Sequence, residues 1–125
     1  MKLVDEYLAA VEAADVPRIL RLFADTGMVE SPLYGTLPAP DFYPMLFRDT
    51  AASRLTHRAT MTGAGATGDV VSFWFDFDWT LADGTPAPFT VVDVAELDAA
   101  GLIRRLHIIY DTAPLRGDFD RVTAT

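Results

Sequence analysis

Cysteine is absent from the 125 residues. Its absence removes disulfides, thiolate metal centres and cysteine nucleophiles together. Positive charge is scarce, with 10 basic residues against 18 acidic and a net charge of −8. Such a surface repels the phosphates of nucleic acid and of anionic lipid alike, so neither nucleic acid nor membrane is expected as a partner. No apolar run approaches the roughly 20 residues that span a bilayer. Asp5 and Glu6 interrupt the stretch where a secretory leader would need an unbroken apolar segment, and a cytoplasmic location is expected. Histidine is limited to His57 and His107, which have no matched ligand spacing, so no metal or other cofactor is expected. What is present is apolar: half of the residues, with 11% aromatic, enough for one core and too few for two. One domain over residues 1–125 is expected, with a loose tail from about residue 117.

Residues 3–14 place Val4, Tyr7, Leu8 and Val11 at helical spacing. Asp15 and Pro17 then carry the signature of a second helix start, whose inner face is Ile19, Leu20 and Phe23 and whose end is Asp25-Thr26-Gly27. Residues 28–31 read as a short strand, the proline-rich stretch 32–40 as a loop, and 41–52 as a third helix that tolerates Pro44 only in its first turn. From His57 the period changes to two. Residues 57–63 form a plausible strand, with a turn at Gly63-Ala64-Gly65. Residues 70–81 alternate, with Val71, Phe73, Phe75, Phe77, Trp79 and Leu81 on one face. Asp83-Gly84 signals a hairpin into 88–97, and Asp98 to Gly101 turns into 102–111. Short turns between strands make this an α+β chain, its helices covering one face of an antiparallel sheet and leaving a concave interior.

Asp93 is the most informative residue. Alternation puts it on the same strand face as Phe89, Val91, Ala95 and Leu97. A carboxyl there is paired, protonated or functional, because an unpaired buried charge is very costly. Read as function, it is one of two donors with Tyr7; read as structure, it is a core acid satisfied by local hydrogen bonds. Tyr7 on the first helix is by itself a packing residue with its hydroxyl at the edge. If Tyr7 and Asp93 meet in one apolar cavity, two neutral O–H donors can stabilise an oxyanion on a ligand carbonyl. By parity, Phe23, Phe73, Phe75, Phe89, Leu106, Ile108 and Tyr110 are the candidate walls. Asp76 and Asp78 fall on the outer face, and Trp74, Ile103 and Ile109 on the face opposite the pocket are candidates for a homodimer contact. Gly63 to Gly68 contains G-x-G-x-x-G, but a strand follows it instead of a helix, which excludes a dinucleotide site. Ser31 lacks the G-x-S-x-G setting of a serine hydrolase.

Tyr7-Leu8-Ala9-Ala10, Asp15, Leu22-Phe23-Ala24-Asp25 and Val29-Glu30-Ser31-Pro32, with Val92 to Leu97, Gly101-Leu102-Ile103 and His107 to Asp111, resemble the ketosteroid isomerase-like, or SnoaL-like, branch of the nuclear transport factor 2-like superfamily. The resemblance spans residues 3–116. It implies a conical, strongly curved mixed sheet around an apolar pocket closed by three N-terminal helices, and a homodimer. It also implies a carbonyl-bearing apolar ligand, with Tyr7 as oxyanion-hole tyrosine and Asp93 as the aspartic acid that the family keeps neutral. The family's general-base aspartate follows Val-Glu and precedes Pro; Ser31 stands there instead. A serine hydroxyl cannot take an α-proton at neutral pH without a base of its own. Glu30 is the adjacent acid and a candidate replacement, although alternation turns it away from the pocket. The readings left open are an isomerase or polyketide cyclase-like enzyme, a non-catalytic binding or dimerisation module, and a limonene-type epoxide hydrolase drawing on Asp76, Asp78 and Asp111.

Overall fold

The computed structural model describes residues 1–124, which form a curved, mixed six-stranded sheet and four helices. Helix α1 (Lys2–Glu12) buries Val4, Tyr7, Leu8, Ala10 and Val11, the stripe that its spacing predicts. It ends in a Schellman turn: Asp15 N–H donates to Ala10 O at 3.0 Å and Ala14 N–H to Val11 O at 3.0 Å. That turn holds Ala14 at φ 53, where glycine is the usual occupant. Helix α2 (Val16–Leu20) is capped by Asp15, which accepts from Arg18 N–H at 3.1 Å.

Phe23 is not in this helix. It opens strand β1 (Phe23–Ser31), and Asp25-Thr26-Gly27 is a kink in that strand, with no helix end there. A Cβ on Gly27 would stand 2.8 Å from the Phe23 ring and 3.0 Å from Ile103 O, so the kink admits only glycine. The proline-rich stretch contains a short strand, β2 (Gly35–Pro38), antiparallel to β1. Helix α3 (Ala39–Arg48) starts two residues before the expected cap and stops before 52; Pro44 therefore lies within its second turn.

Strand β3 (Thr50–Gly65) is far longer than 57–63, and pairs along its length with β4 (Gly68–Leu81). β5 (Phe89–Leu97) and β6 (Ile103–Ile109) complete the hairpins, and the order is β2-β1-β6-β5-β4-β3. β1 runs parallel to β6, a long-range pairing that reading successive hairpins does not supply. A register shift between Glu96 and Leu97 inserts an extra residue in β6. It turns Ile103 inward: Ile103 is 1% exposed and belongs to the core, contrary to its expected place on the outer face. Helix α4 (Ala113–Thr123) occupies most of the expected loose tail and buries Leu115 and Phe119; Thr125 lies outside the described residues. No helix among the described residues is long and apolar enough to cross a membrane.

Candidate functional site

The curvature of β4, β5 and β6 under α1 and α3 encloses a mostly apolar cavity. Tyr7 and Val11 line it from α1, Phe42 and Leu46 from α3, and Ser31 and Tyr34 from the β1–β2 hairpin. Phe75, Phe77, Trp79, Phe89, Val91, Asp93, Ile108 and Tyr110 line it from the sheet side. Its free centre is about 40 Å³, within an envelope of about 490 Å³ that includes the mouth. That centre has room for a few waters.

Asp93 reaches this cavity from the middle of β5, paired across the sheet with Phe73 and Ile108. It is 2% exposed, and its Oδ1 has no hydrogen-bond partner among the described residues. Burial alone pushes its carboxyl well above the ordinary range. A carboxyl without a cationic or N–H partner in apolar surroundings keeps its proton, and a protonated carboxyl donates.

Tyr7 lines the same cavity, and its hydroxyl lies 2.8 Å from the Tyr43 hydroxyl. Tyr43 is fully buried. Either hydroxyl can donate in that pair; when Tyr43 does, the Tyr7 proton is left free. That arrangement makes a relay from Tyr43 to Tyr7 to the cavity. Burial, then the neighbouring Tyr43 and Asp93, raise the Tyr7 phenol well above the usual tyrosine range, so it also stays protonated. Tyr110, stacked on Phe89 with centroids 4.1 Å apart, is raised chiefly by burial, with Arg116 opposing and Asp93 adding.

Ser31 sits at the cavity edge, but its Oγ accepts from Leu33 N–H at 3.3 Å and Tyr34 N–H at 3.2 Å. Both lone pairs are thereby occupied in closing the hairpin. The hydroxyl can donate but has no capacity to take a proton.

Several expected residues stand elsewhere. Glu30 is on the opposite face of β1, bonded to Arg105 at 3.1 Å and His107 Nδ1 at 2.9 Å, because strand alternation holds there. His107 also contacts Glu96 through Nε2 at 2.7 Å, which helps hold Glu96 below the usual carboxylate range. Of the expected walls, Phe75, Phe89, Ile108 and Tyr110 line the cavity; Phe23, Phe73 and Leu106 do not. Phe73 is one layer behind, against Tyr7 at 5.5 Å; Phe23 packs on Tyr43 at 5.8 Å because the β1 kink carries it beneath α3. Leu106 is fully buried in the core beside its β1 neighbour Val29. The epoxide hydrolase set does not assemble: Asp76 faces outward, bonded to Thr90 at 2.9 Å and near Arg58 at 3.6 Å. Asp78 is exposed and Asp111 binds the Ala113 N–H at the start of α4.

Tyr43, Tyr34 and Asp49 were not singled out from sequence. Phe77 and Trp79 share the parity of Phe73 and Phe75, a signal that was present. Tyr43 is adjacent to the apolar stripe of α3, and nothing local marks its hydroxyl as the partner of one 36 residues earlier.

With this geometry in place, the comparisons with known proteins are decisive for family. Residues 4–106 match the SnoaL-like domain model, and the chain belongs to that family. No curated protein sequence matches the chain. A nuclear transport factor 2-like protein of unknown function from Burkholderia pseudomallei superposes with a TM-score of 0.77 at 20% identity, covering 100% of this chain and 97% of that one. The Δ5-3-ketosteroid isomerase from Mycobacterium sp. gives 0.72 at 20% identity, covering 89% and 92%. TerC, co-crystallised with polyporic acid, gives 0.75 at 18% identity, covering 95% and 96%. These likenesses establish the nuclear transport factor 2-like fold.

Proposed function

We propose that this chain binds a small, largely apolar, carbonyl-bearing molecule and holds its oxygen between the Tyr7 hydroxyl and a protonated Asp93. The observation that carries this reading is the Asp93 carboxyl, buried, unpartnered at Oδ1 and facing the same cavity as Tyr7. A buried polar group without a partner costs about 1–3 kcal/mol, a penalty that a ligand oxygen relieves. Two donors in a dry site stabilise charge on that oxygen, favouring enol or enolate forms of the ligand. Turnover by isomerisation or cyclisation also needs a proton acceptor. With Ser31 saturated and Glu30 outside the cavity, the acceptor is a pocket water or a group on the ligand itself.

A second reading is favoured by the outer face of the sheet, where Trp74 is 39% and Ile109 56% exposed. That face suits a homodimer of a non-catalytic binding module, and sedimentation of the purified protein tests it. The ligand reading is tested by titrating substituted phenols, as oxyanion mimics, into the wild type and Asp93→Asn. Affinity is expected to depend on phenol acidity in the wild type, and the dependence to change in the variant. Identical affinities across the series refute the oxyanion site. Ser31→Asp places a carboxylate where Ser31 stands; measurable isomerisation of a β,γ-unsaturated ketone by that variant supports the catalytic form of the proposal.

A further inference from the structure

Away from Asp93 the cavity carries another polar pair. Tyr34 lines the cavity and its hydroxyl donates to Asp49 Oδ2 at 2.7 Å. Asp49 is only 7% exposed, and Arg48 Nε lies 3.4 Å from its other oxygen. Burial and the hydrogen bond to Asp49 push the Tyr34 phenol above the usual tyrosine range, so its single proton stays committed to the carboxylate. A phenol in that state has only lone pairs left to offer. Of the other polar groups on the lining, the Ser31 and Tyr110 hydroxyls keep a donor proton, while Trp79 is closed to a ligand. Trp79 Nε1 donates to Thr50 Oγ1 at 2.8 Å, and Thr50 in turn donates to Leu46 O at 2.6 Å.

The two polar pairs reach the cavity from different elements, Tyr7 and Asp93 from α1 and β5, and Tyr34 from the β1–β2 hairpin. Asp93 is paired with Phe73 on β4, close to Phe75. Tyr34 packs edge-on to Phe119 at 5.2 Å, and Phe119 meets Trp79 at 6.0 Å. Phe75 and Trp79 are four residues apart on one face of β4, about 13 Å at the usual strand rise of roughly 3.3 Å per residue. The hollow has a donor pole beside Asp93, an acceptor pole beside Trp79 and aromatic walls between.

We infer that Tyr34, held by Asp49, accepts a hydrogen bond from a hydroxyl or N–H at the far end of the ligand. The ligand class is then a carbonyl compound with a remote hydrogen-bond donor, in preference to a simple apolar ketone. This inference rests on the oxyanion reading of Tyr7 and Asp93, which supplies the opposite anchor. In the bound state the ligand's donor meets an oxygen that already donates to a carboxylate, a chain in which each bond strengthens the next.

Two probe pairs test it: 4′-(hydroxymethyl)acetophenone with its methoxymethyl ether, and the two-ring homologue 4-acetyl-4′-(hydroxymethyl)biphenyl with its ether. An aliphatic alcohol is too weak an acid to compete for the oxyanion donors, and the ether keeps the bulk without the donor. Wild-type protein is expected to bind the alcohol about tenfold more tightly than the ether in the pair that fits the span, as one hydrogen bond warrants. Tyr34→Phe is expected to bring that ratio to about one. Asp49→Asn, which keeps the shape and weakens the polarisation, lowers the ratio and serves should Tyr34→Phe fold poorly. Asp93→Asn weakens both members and keeps the ratio. Equal binding of alcohol and ether by the wild type in both pairs, or a preference that survives Tyr34→Phe, overturns the acceptor pole while leaving the oxyanion site standing. Failure of every ketone to bind overturns both.

Discussion

Replacing Asp93 with asparagine changes how stability depends on pH, and the sign follows from burial. In the unfolded chain the carboxyl titrates near 3.9. In the folded protein burial holds it well above that range. Below the unfolded value both states carry the proton, and the carboxyl imposes no charge penalty. Above it the unfolded state releases a proton that the folded state keeps, so stability falls as pH rises, by about 1.4 kcal/mol per pH unit, until the folded carboxyl ionises. Asparagine is similar in size, neutral at every pH and equally short of partners, so its own curve lacks this slope. The two proteins are therefore expected to match near pH 4. Over the next two pH units the variant becomes more stable by about 3 kcal/mol, provided that the folded acid remains protonated across that interval. Urea unfolding at half-unit steps from pH 4 to 7 measures this directly, because every other titrating group is common to both chains and cancels in the difference. Parallel curves refute the reasoning, since they mean that Asp93 ionises alike in the folded and unfolded states. A wild type that gains on the variant with rising pH refutes it more strongly, by revealing a charged, partnered carboxylate.

Other perturbations report on neighbouring links. Tyr7→Phe leaves the Tyr43 hydroxyl without its partner; it is expected to destabilise the fold by about 1–2 kcal/mol and weaken phenol binding about tenfold, as read by calorimetry. Ala14→Gly relieves the left-handed backbone at φ 53 and is expected to raise stability by about 0.5–1 kcal/mol in urea titration; a loss would contradict the Schellman assignment. Phe119→Ala removes the ring that fastens α4 against Tyr34 and Trp79. It is expected to cost about 3 kcal/mol and to accelerate amide exchange across α4 before the central strands.

Much of the site was legible because its signals are local. One face of β4 is aromatic at every second residue, the stripe of α1 includes Tyr7, and Asp93 is a carboxyl where the alternation demands an apolar residue. What was not legible depends on contacts distant in sequence or on broken periods. Asp25-Thr26-Gly27 looks like a helix end and is a strand kink, because turn-forming residues also suit a bulge. One inserted residue in β6 inverts the parity that placed Ile103 outside. Helix α4 contains Gly117 and many charges, and its helical state comes with the docking of Leu115 and Phe119 more than from propensity. The Tyr34–Asp49 pair joins a hairpin to the end of α3, a meeting that no spacing rule encodes.

The central claim is that Asp93 is a neutral hydrogen-bond donor at neutral pH. Difference infrared spectroscopy of the wild type against Asp93→Asn, with carboxyl carbons isotopically labelled, reads that proton directly. The account predicts a protonated carboxyl C=O band at pH 7, present in the wild type alone, that moves to lower frequency when an acidic phenol occupies the cavity. A carboxylate band pair assigned to Asp93 at pH 7, or a C=O band indifferent to the phenol, contradicts it.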